Sequence, residues 1–149
     1  MVKQILAGAL FSFLALGVSN QVYAQADVNE KRQNAMKAIS AANKAVKGAV
    51  EEKNFATVEA KAKDIMGTAD MIPSLFPKGS TTGKTKAKPE IWEKSEDFGK
   101  AAKNLSKAAG ELASAAKAGN EADVGVKFKA LGDTCGACHK QFRAEKYGE

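Results

Sequence analysis

Apolar residues recur at alternating steps of four and three along most of this chain, and that spacing limits the possible folds more than any other feature. Such steps return to the same face of an α-helix, whereas a half-buried strand needs a period of two. Four segments carry the pattern: Val28 to Val50, Phe55 to Ile72, Pro89 to Ala116 and Val124 to Phe142. Because no stretch alternates with period two for long enough to indicate a sheet, the sequence predicts an all-α protein.

The connections between these segments are short, apart from the polar and basic stretch Lys78 to Lys88. Amphipathic helices joined by short turns favour an antiparallel up-down-up-down four-helix bundle. Many positions of the apolar stripes are alanine, which buries little apolar surface. Such a lean core either packs very closely or encloses another group.

The N-terminus has the pattern of a secretory signal peptide. Lys3 is followed by the nearly continuous apolar run Ile5 to Val18, which is too short for a comfortable membrane span. Small-residue patterns then place the cleavage after Ala24, with Ala26 as the alternative. We expect a signal peptide over 1–24 and a single domain over 25–149, exported to the periplasm without stable membrane insertion. An uncleaved membrane anchor is the alternative.

The run Cys135-Gly136-Ala137-Cys138-His139 lies on the apolar stripe of the fourth helix. C-x-x-C-H is the attachment pattern for c-type haem. Residues three apart share a helix face, so Cys135 and Cys138 can present both sulfurs to the vinyl groups along one porphyrin edge. His139 follows closely enough to supply the proximal iron ligand. The expected cofactor is one covalently attached haem c, which the lean core would enclose.

Other uses of the two cysteines explain the run less well. A zinc site lacks further ligands, because the chain has two cysteines and one histidine. A thioredoxin-like pair expects a βαβ setting rather than the end of an all-helical chain. A disulfide between Cys135 and Cys138 stays open, although it leaves the adjoining histidine unexplained.

The chain also resembles the class II cytochromes c, which include the cytochromes c-prime. A C-x-x-C-H motif in the last helix, followed by Lys140-Gln141-Phe142-Arg143, is similar to that family. Three shorter segments match it as well: Arg32-Gln33-Asn34-Ala35-Met36, Leu75-Phe76-Pro77 and Pro89-Glu90-Ile91-Trp92. The resemblance covers essentially the whole mature chain and implies a four-helix bundle around haem c.

The resemblance implies a role for Met36 on the distal side of the haem. In high-spin cytochromes c-prime this distal position is typically an apolar residue that leaves the haem five-coordinate, and in low-spin members it is a methionine ligand. In an up-down-up-down bundle a residue early in the first helix also lies level with one near the end of the fourth, which suits Met36 and His139. We expect Met36 to be the distal iron ligand, with Met66 and Met71 as the rivals.

Two polar residues lie near Met36 in the first helix. Arg32 is four residues earlier and therefore on nearly the same face, where a guanidinium can pair with a haem propionate. Gln33 is a weaker candidate for the same role. Solvated helix residues are the alternative for both.

These features favour a periplasmic one-electron carrier with a six-coordinate His/Met haem. The alternative is a cytochrome c-prime-like five-coordinate protein that binds or buffers nitric oxide or carbon monoxide. We expect no enzymatic activity, because no second histidine is available as a distal acid–base group. Lys and Arg number 23 against 17 Asp and Glu, a formal charge of +6, which favours acidic redox partner proteins. Export disfavours nucleic acid, and the resemblance makes a homodimer plausible.

Overall fold

The computed structural model describes the backbone of residues 16–146 and the side chains of residues 27–146. Its helices are α1 (Leu16–Glu51), α2 (Phe55–Met71), α3 (Glu90–Glu93), α4 (Ser95–Lys117) and α5 (Glu121–Phe142), with a 3₁₀ turn at Ile72–Leu75. The described residues contain no strand, only an isolated antiparallel bridge between Ala87 and Arg143. The predicted all-α fold is confirmed. None of the helices in this range is long and apolar enough to cross a membrane.

Local chemistry explains where the helices begin and end. The side chain of Asn54 accepts a hydrogen bond from the backbone N–H of Thr57 at the start of α2. Gly119 adopts a φ of 69° after α4, and Asn120 then caps α5 by accepting from the N–H of Asp123. These positions follow the preference for glycine after a helix and asparagine before one. The turn expected at 119–120 is therefore present.

Two helix boundaries differ from the prediction. The predicted third helix is divided, because Lys94 leaves the helical region (φ −118°, ψ 48°) between the single turn of α3 and the start of α4. The first helix begins at Leu16, upstream of the predicted Val28. The predicted signal peptide falls largely on residues 1–15, which lie outside the described range. Cleavage after Ala24 or Ala26 therefore stays a prediction.

The long helices pack in a chain of neighbours in which α1 contacts α2, α2 contacts α4, and α4 contacts α5. The alanine-rich stripes allow close approach, since Ala62, Ala69 and Ala109 are fully buried between α2 and α4. Near one end of the bundle, α1 and α5 instead face each other across a cavity. The lean core therefore does both things considered from the sequence, since the alanines pack closely between α2 and α4 while α1 and α5 leave a cavity between them.

The loop between Leu75 and Pro89 crosses the end of the bundle and is fastened on both sides. On the α1 side, Asn29 Nδ2 donates to the carbonyl of Thr82 at 3.1 Å. On the α5 side, the N–H of Lys88 donates to the carbonyl of Phe142, and the N–H of Ala144 donates to the carbonyl of Lys86. The loop thus connects the two helices that flank the cavity.

Candidate functional site

The cavity between α1, α4, α5 and the loop has a volume of about 540 Å³. Its lining includes Met36 from α1 together with Cys135, Cys138 and His139 from α5. The structure therefore brings together the four residues that the sequence assigned to haem attachment and iron ligation. A volume of this size lies within the range of cofactor pockets, roughly 300–1,000 Å³.

The α5 wall presents the two thiols and the imidazole. Cys135 and Cys138 are half-buried free cysteines. The structure therefore does not contain the disulfide that was the alternative use of the pair. Burial raises the pKa of both thiols. Burial, and secondly the positive charge of Arg143, lower the pKa of His139. A lowered imidazole pKa favours the neutral form, which is the form that binds a metal.

Met36 is half-buried against the core on the opposite, α1 wall. The rivals lie elsewhere. Met66 lines a separate groove between α2, α4 and α5, and Met71 has 55% of its surface exposed. Among the methionines whose side chains are described, Met36 is the only one that lines the cavity.

Aromatic rings close one side of the cavity. Phe98 lies edge-on to Phe76 with ring centroids 4.9 Å apart, and edge-on to Phe142 with centroids 5.2 Å apart. All three rings line the cavity, and edge-to-face pairs are a favoured arrangement of aromatic rings. Trp92 and Phe128 do not line it.

Arg32 is buried, with 5% of its surface exposed, and it lies at the junction of α1 and the loop. Nε donates to the carbonyl of Leu75 at 2.6 Å, and Nη1 donates to the carbonyl of Ser80 and to Asn29 Oδ1, each at 3.0 Å. Nη2 donates to the Ser80 hydroxyl. The guanidinium carbon also lies 4.3 Å from the ring centroid of Phe76. Burial lowers the pKa of Arg32 to about 10, which leaves it charged at neutral pH.

These contacts bear on the predicted role of Arg32 in binding a haem propionate. It lines the cavity, but most of its N–H donors already hold the loop, so little of its donor capacity is left for a propionate. Gln33 also lines the cavity, and its Nε2 makes a long 3.5 Å contact with the carbonyl of Lys84. Propionate binding by either residue stays a prediction. The loop-holding role of Arg32 was missed because its partners are 43 and 48 residues away in sequence.

Asn43 and Lys86 are among the lining residues that were not identified from the sequence. Asn43 Oδ1 is buried and has no hydrogen-bond partner among the described residues. Its spacing of seven from Met36 places it on the same face of α1, and this signal was available in the sequence. Lys86 reaches the cavity through the loop, which has no periodicity that would have revealed it.

The lining residues fit a haem. The thiol pair and the imidazole share one wall, a thioether lies on the other, and most of the surface between them is apolar and aromatic. Asn43 Oδ1 is buried without a hydrogen-bond partner among the described residues, as expected of a cavity that holds a further group. Among the described residues, no group of three or more His, Cys, Asp or Glu side chains could hold a bare metal ion. Together the fold and the site define a c-type haem protein of the four-helix-bundle class.

Comparison with known proteins agrees with this class. The profile of the family described as cytochrome c' matches residues 27–143, so the chain belongs to that family. Proteins of the family carry covalently bound haem c, and the predicted cofactor is thereby confirmed.

Both a cytochrome c-556 and cytochromes c' resemble the chain. Cytochrome c-556 of Agrobacterium fabrum is 39% identical over 148 residues, covering 97% of each chain. Cytochrome c' of Rhodospirillum rubrum is 47% identical over 85 residues, which are 56% of this chain and 58% of that protein. A solved cytochrome c' described as having an unusual ligand-controlled dimer dissociation superposes with a TM-score of 0.74 at 31% identity, covering 81% of this chain and 97% of the other.

Proposed function

We propose that this cytochrome is a one-electron carrier in which His139 and Met36 are the two axial ligands of a haem attached through Cys135 and Cys138. The observation that carries the proposal is the position of Met36, the only methionine of the described side chains that lines the cavity opposite His139. Haem c supplies a single iron that changes oxidation state by one electron. A thioether opposite an imidazole leaves no open position for a substrate and raises the reduction potential.

The residues of the chain support this role by holding the site in place. Phe76, Phe98 and Phe142 pack edge to face and give one side of the cavity an apolar surface. Arg32 fixes the loop across the end of the bundle, so α1 and α5 keep their separation. A site that reorganises little between oxidation states suits electron transfer, and we propose that the protein catalyses no reaction of its own.

A second candidate is a five-coordinate haem protein that binds nitric oxide or carbon monoxide on the distal side. The family comparisons favour this candidate over the first, since the matching family is that of the cytochromes c', which are typically five-coordinate. The presence of Met36 in the cavity is the observation that favours the first candidate. In this alternative its side chain packs against the core without binding iron, or leaves the iron when a gas arrives.

Absorption spectra of the holoprotein decide between the two. We would record the oxidised and reduced forms, with and without carbon monoxide, for the wild type, Met36→Ala and the control Met71→Ala. A low-spin wild type that resists the gas, with a high-spin Met36→Ala that binds it, supports the electron carrier. A wild type that is already high-spin and binds carbon monoxide overturns the Met36 assignment and supports the gas-binding protein. Met71→Ala should behave as the wild type in either case, because Met71 is largely exposed.

Location and partners belong to the same proposal. The pattern of a signal peptide over 1–24 supports export to the periplasm, where redox partner proteins would be met. The dimer dissociation described for a relative at 31% identity supports a homodimer. Size-exclusion chromatography with light scattering, and sequencing of the mature N-terminus, test these two points.

A further inference from the structure

The carboxamide of Asn43 is a polar group in the α1 wall of the cavity. Its Oδ1 is buried and has no hydrogen-bond donor among the described residues. Ile39, one turn earlier on α1, and Leu105 of α4 line the same cavity and have no polar side-chain atom. A buried carbonyl oxygen is usually paired with a donor, because leaving it unpaired costs free energy. Asn43 therefore requires a donor that the protein around it does not supply.

Thr134 lines the same cavity from the α5 wall. Neighbouring α1 and α5 run antiparallel in a bundle of this topology, so residues that follow Met36 lie level with residues that precede His139. Asn43 follows Met36 by seven positions, and Thr134 precedes His139 by five. The Thr134 hydroxyl already donates to the carbonyl of Leu131 at 2.7 Å, so it is free to accept a hydrogen bond but not to donate a second one. Two acceptors thus lie at the same level on opposite walls.

The cofactor does not supply the missing donor. Haem attached at Cys135 and Cys138 carries methyls, thioether-linked side chains and ionised propionates on its periphery, and none of these has an N–H or O–H. A water molecule brings two donors, one for each of the oxygens of Asn43 and Thr134, and buried waters typically make about three hydrogen bonds. Ser40, one turn before Asn43 on α1, is exposed and lines the same cavity, so its hydroxyl is available for a third contact.

We propose that Asn43 Oδ1 and the Thr134 hydroxyl hold one internal water molecule, which links the α1 and α5 walls and positions Met36 opposite His139. The water site rests only on the attached haem, whereas the positioning role rests on the proposed electron-carrier function. The thioether belongs to α1 and the imidazole to α5, so a bridge between the walls keeps their separation constant. The loop fastens the two walls at one end of the cavity, and the water fastens them at the other. Asn43 is therefore a positioning residue that acts on the iron through Met36.

Water-to-protein NOE spectra detect the bound molecule directly. They would be recorded on the ferrous holoprotein, under carbon monoxide if the ferrous form is high-spin, because a diamagnetic haem is needed. We expect an NOE with the sign of a long-lived water at the methyl group of Thr134, and its loss in Asn43→Leu, where the Thr134 hydroxyl is still present. Thr68 is the matched control, because its hydroxyl also donates to a carbonyl of its own helix but it lines neither the cavity nor the groove.

Carbon monoxide binding tests the positioning role. Met36 and the gas compete for the iron, so a loosened thioether raises the apparent affinity for the gas. We expect Asn43→Leu and Thr134→Val each to raise that affinity about threefold or more, as the loss of one hydrogen bond would. The double variant should equal the stronger single variant, because both substitutions remove the same water. Thr68→Val should have no effect, and Asn43→Leu should have none in the Met36→Ala background.

Four results would overturn parts of the proposal. A water signal at Thr134 that is no stronger than at Thr68, or that persists in Asn43→Leu, excludes the water site. Additive effects of Asn43→Leu and Thr134→Val on gas affinity exclude a shared bridge. An effect of Asn43→Leu that persists without Met36 assigns Asn43 to the bound gas and excludes the positioning role. If the wild type is five-coordinate, the electron-carrier function and the positioning role both fail, and the NOE at Thr134 still decides whether the cavity holds the water.

Discussion

Arg32 on α1 and Ser80 in the loop are joined twice, since the guanidinium donates to both the backbone carbonyl and the hydroxyl of the serine. The Ser80 hydroxyl in turn donates to the carbonyl of Pro77 at 2.6 Å. Both Arg32 and Ser80 are buried, with 5% of each residue exposed. The pair therefore fastens the loop across the cavity end of the bundle with hydrogen bonds that are shielded from water.

Replacing Arg32 with leucine should lower the free energy of unfolding by about 2–4 kcal/mol, because the carbonyls of Leu75 and Ser80 would lose their donor while staying largely buried. Urea denaturation followed by circular dichroism measures the change. The neighbouring exposed Gln33→Ala should cost less than about 0.5 kcal/mol. Equal losses in the two variants would contradict a specific role for the Arg32 contacts.

Gly83→Ala should destabilise the protein by about 1–2 kcal/mol. Gly83 has a φ of 84°, and a Cβ there would lie 3.0 Å from Asn29 Nδ2, the group that holds the loop through Thr82. Gly67→Ala is the matched control, because Gly67 lies within α2 and a Cβ there meets nothing within 4 Å. The control should gain about 0.5–1 kcal/mol. Thermal unfolding of both variants checks the prediction, which fails if they shift the midpoint in the same direction.

Replacing both Cys135 and Cys138 with alanine should abolish covalent attachment of the haem, since the two thiols are the only sulfurs on the α5 wall of the cavity. Acidified butanone should then extract haem from the double variant but not from the wild type, and mass spectrometry of the polypeptide should show the loss of the haem mass. Thr134→Ala is the control, because Thr134 lines the cavity beside Cys135 without offering a sulfur. Retention of covalent haem by the double variant would exclude the assigned attachment site.

Lys127→Gln should raise the pKa of Glu111 toward its ordinary value. Glu111 lies on α4, and its pKa is lowered by the hydrogen bond and the positive charge of Lys127 on α5. A lowered carboxyl pKa stabilises the fold above the unfolded pKa, and the contribution disappears as pH falls through the folded value. NMR titration of the Glu111 side chain measures the shift. Lys129→Gln, which removes a pair with Asp133 within α5, should leave Glu111 unchanged, and a similar shift there would argue against a direct contact.

Several features of the site followed from the sequence because they depend on local spacing. Cys135, Cys138 and His139 share one turn of a helix, so any helix through them presents the three groups together. Asn120 and Gly119 likewise act through neighbours in sequence. The role of Arg32 in holding the loop and the position of Lys86 at the cavity did not follow from the sequence. The contacts of both residues span more than forty positions.

The sequence by itself determined the helical period and the covalent haem motif with its histidine, since each depends on residues a few positions apart. The resemblance favoured Met36 over Met66 and Met71, but only the tertiary structure shows that Met36 lines the cavity while Met66 lines a separate groove and Met71 is exposed, because these positions depend on how the helices pack. The tertiary structure also decided that the cations of α1, the loop and α5 meet around one opening. The sequence alone does not show which charged side chains share a surface, because the fold brings distant segments together.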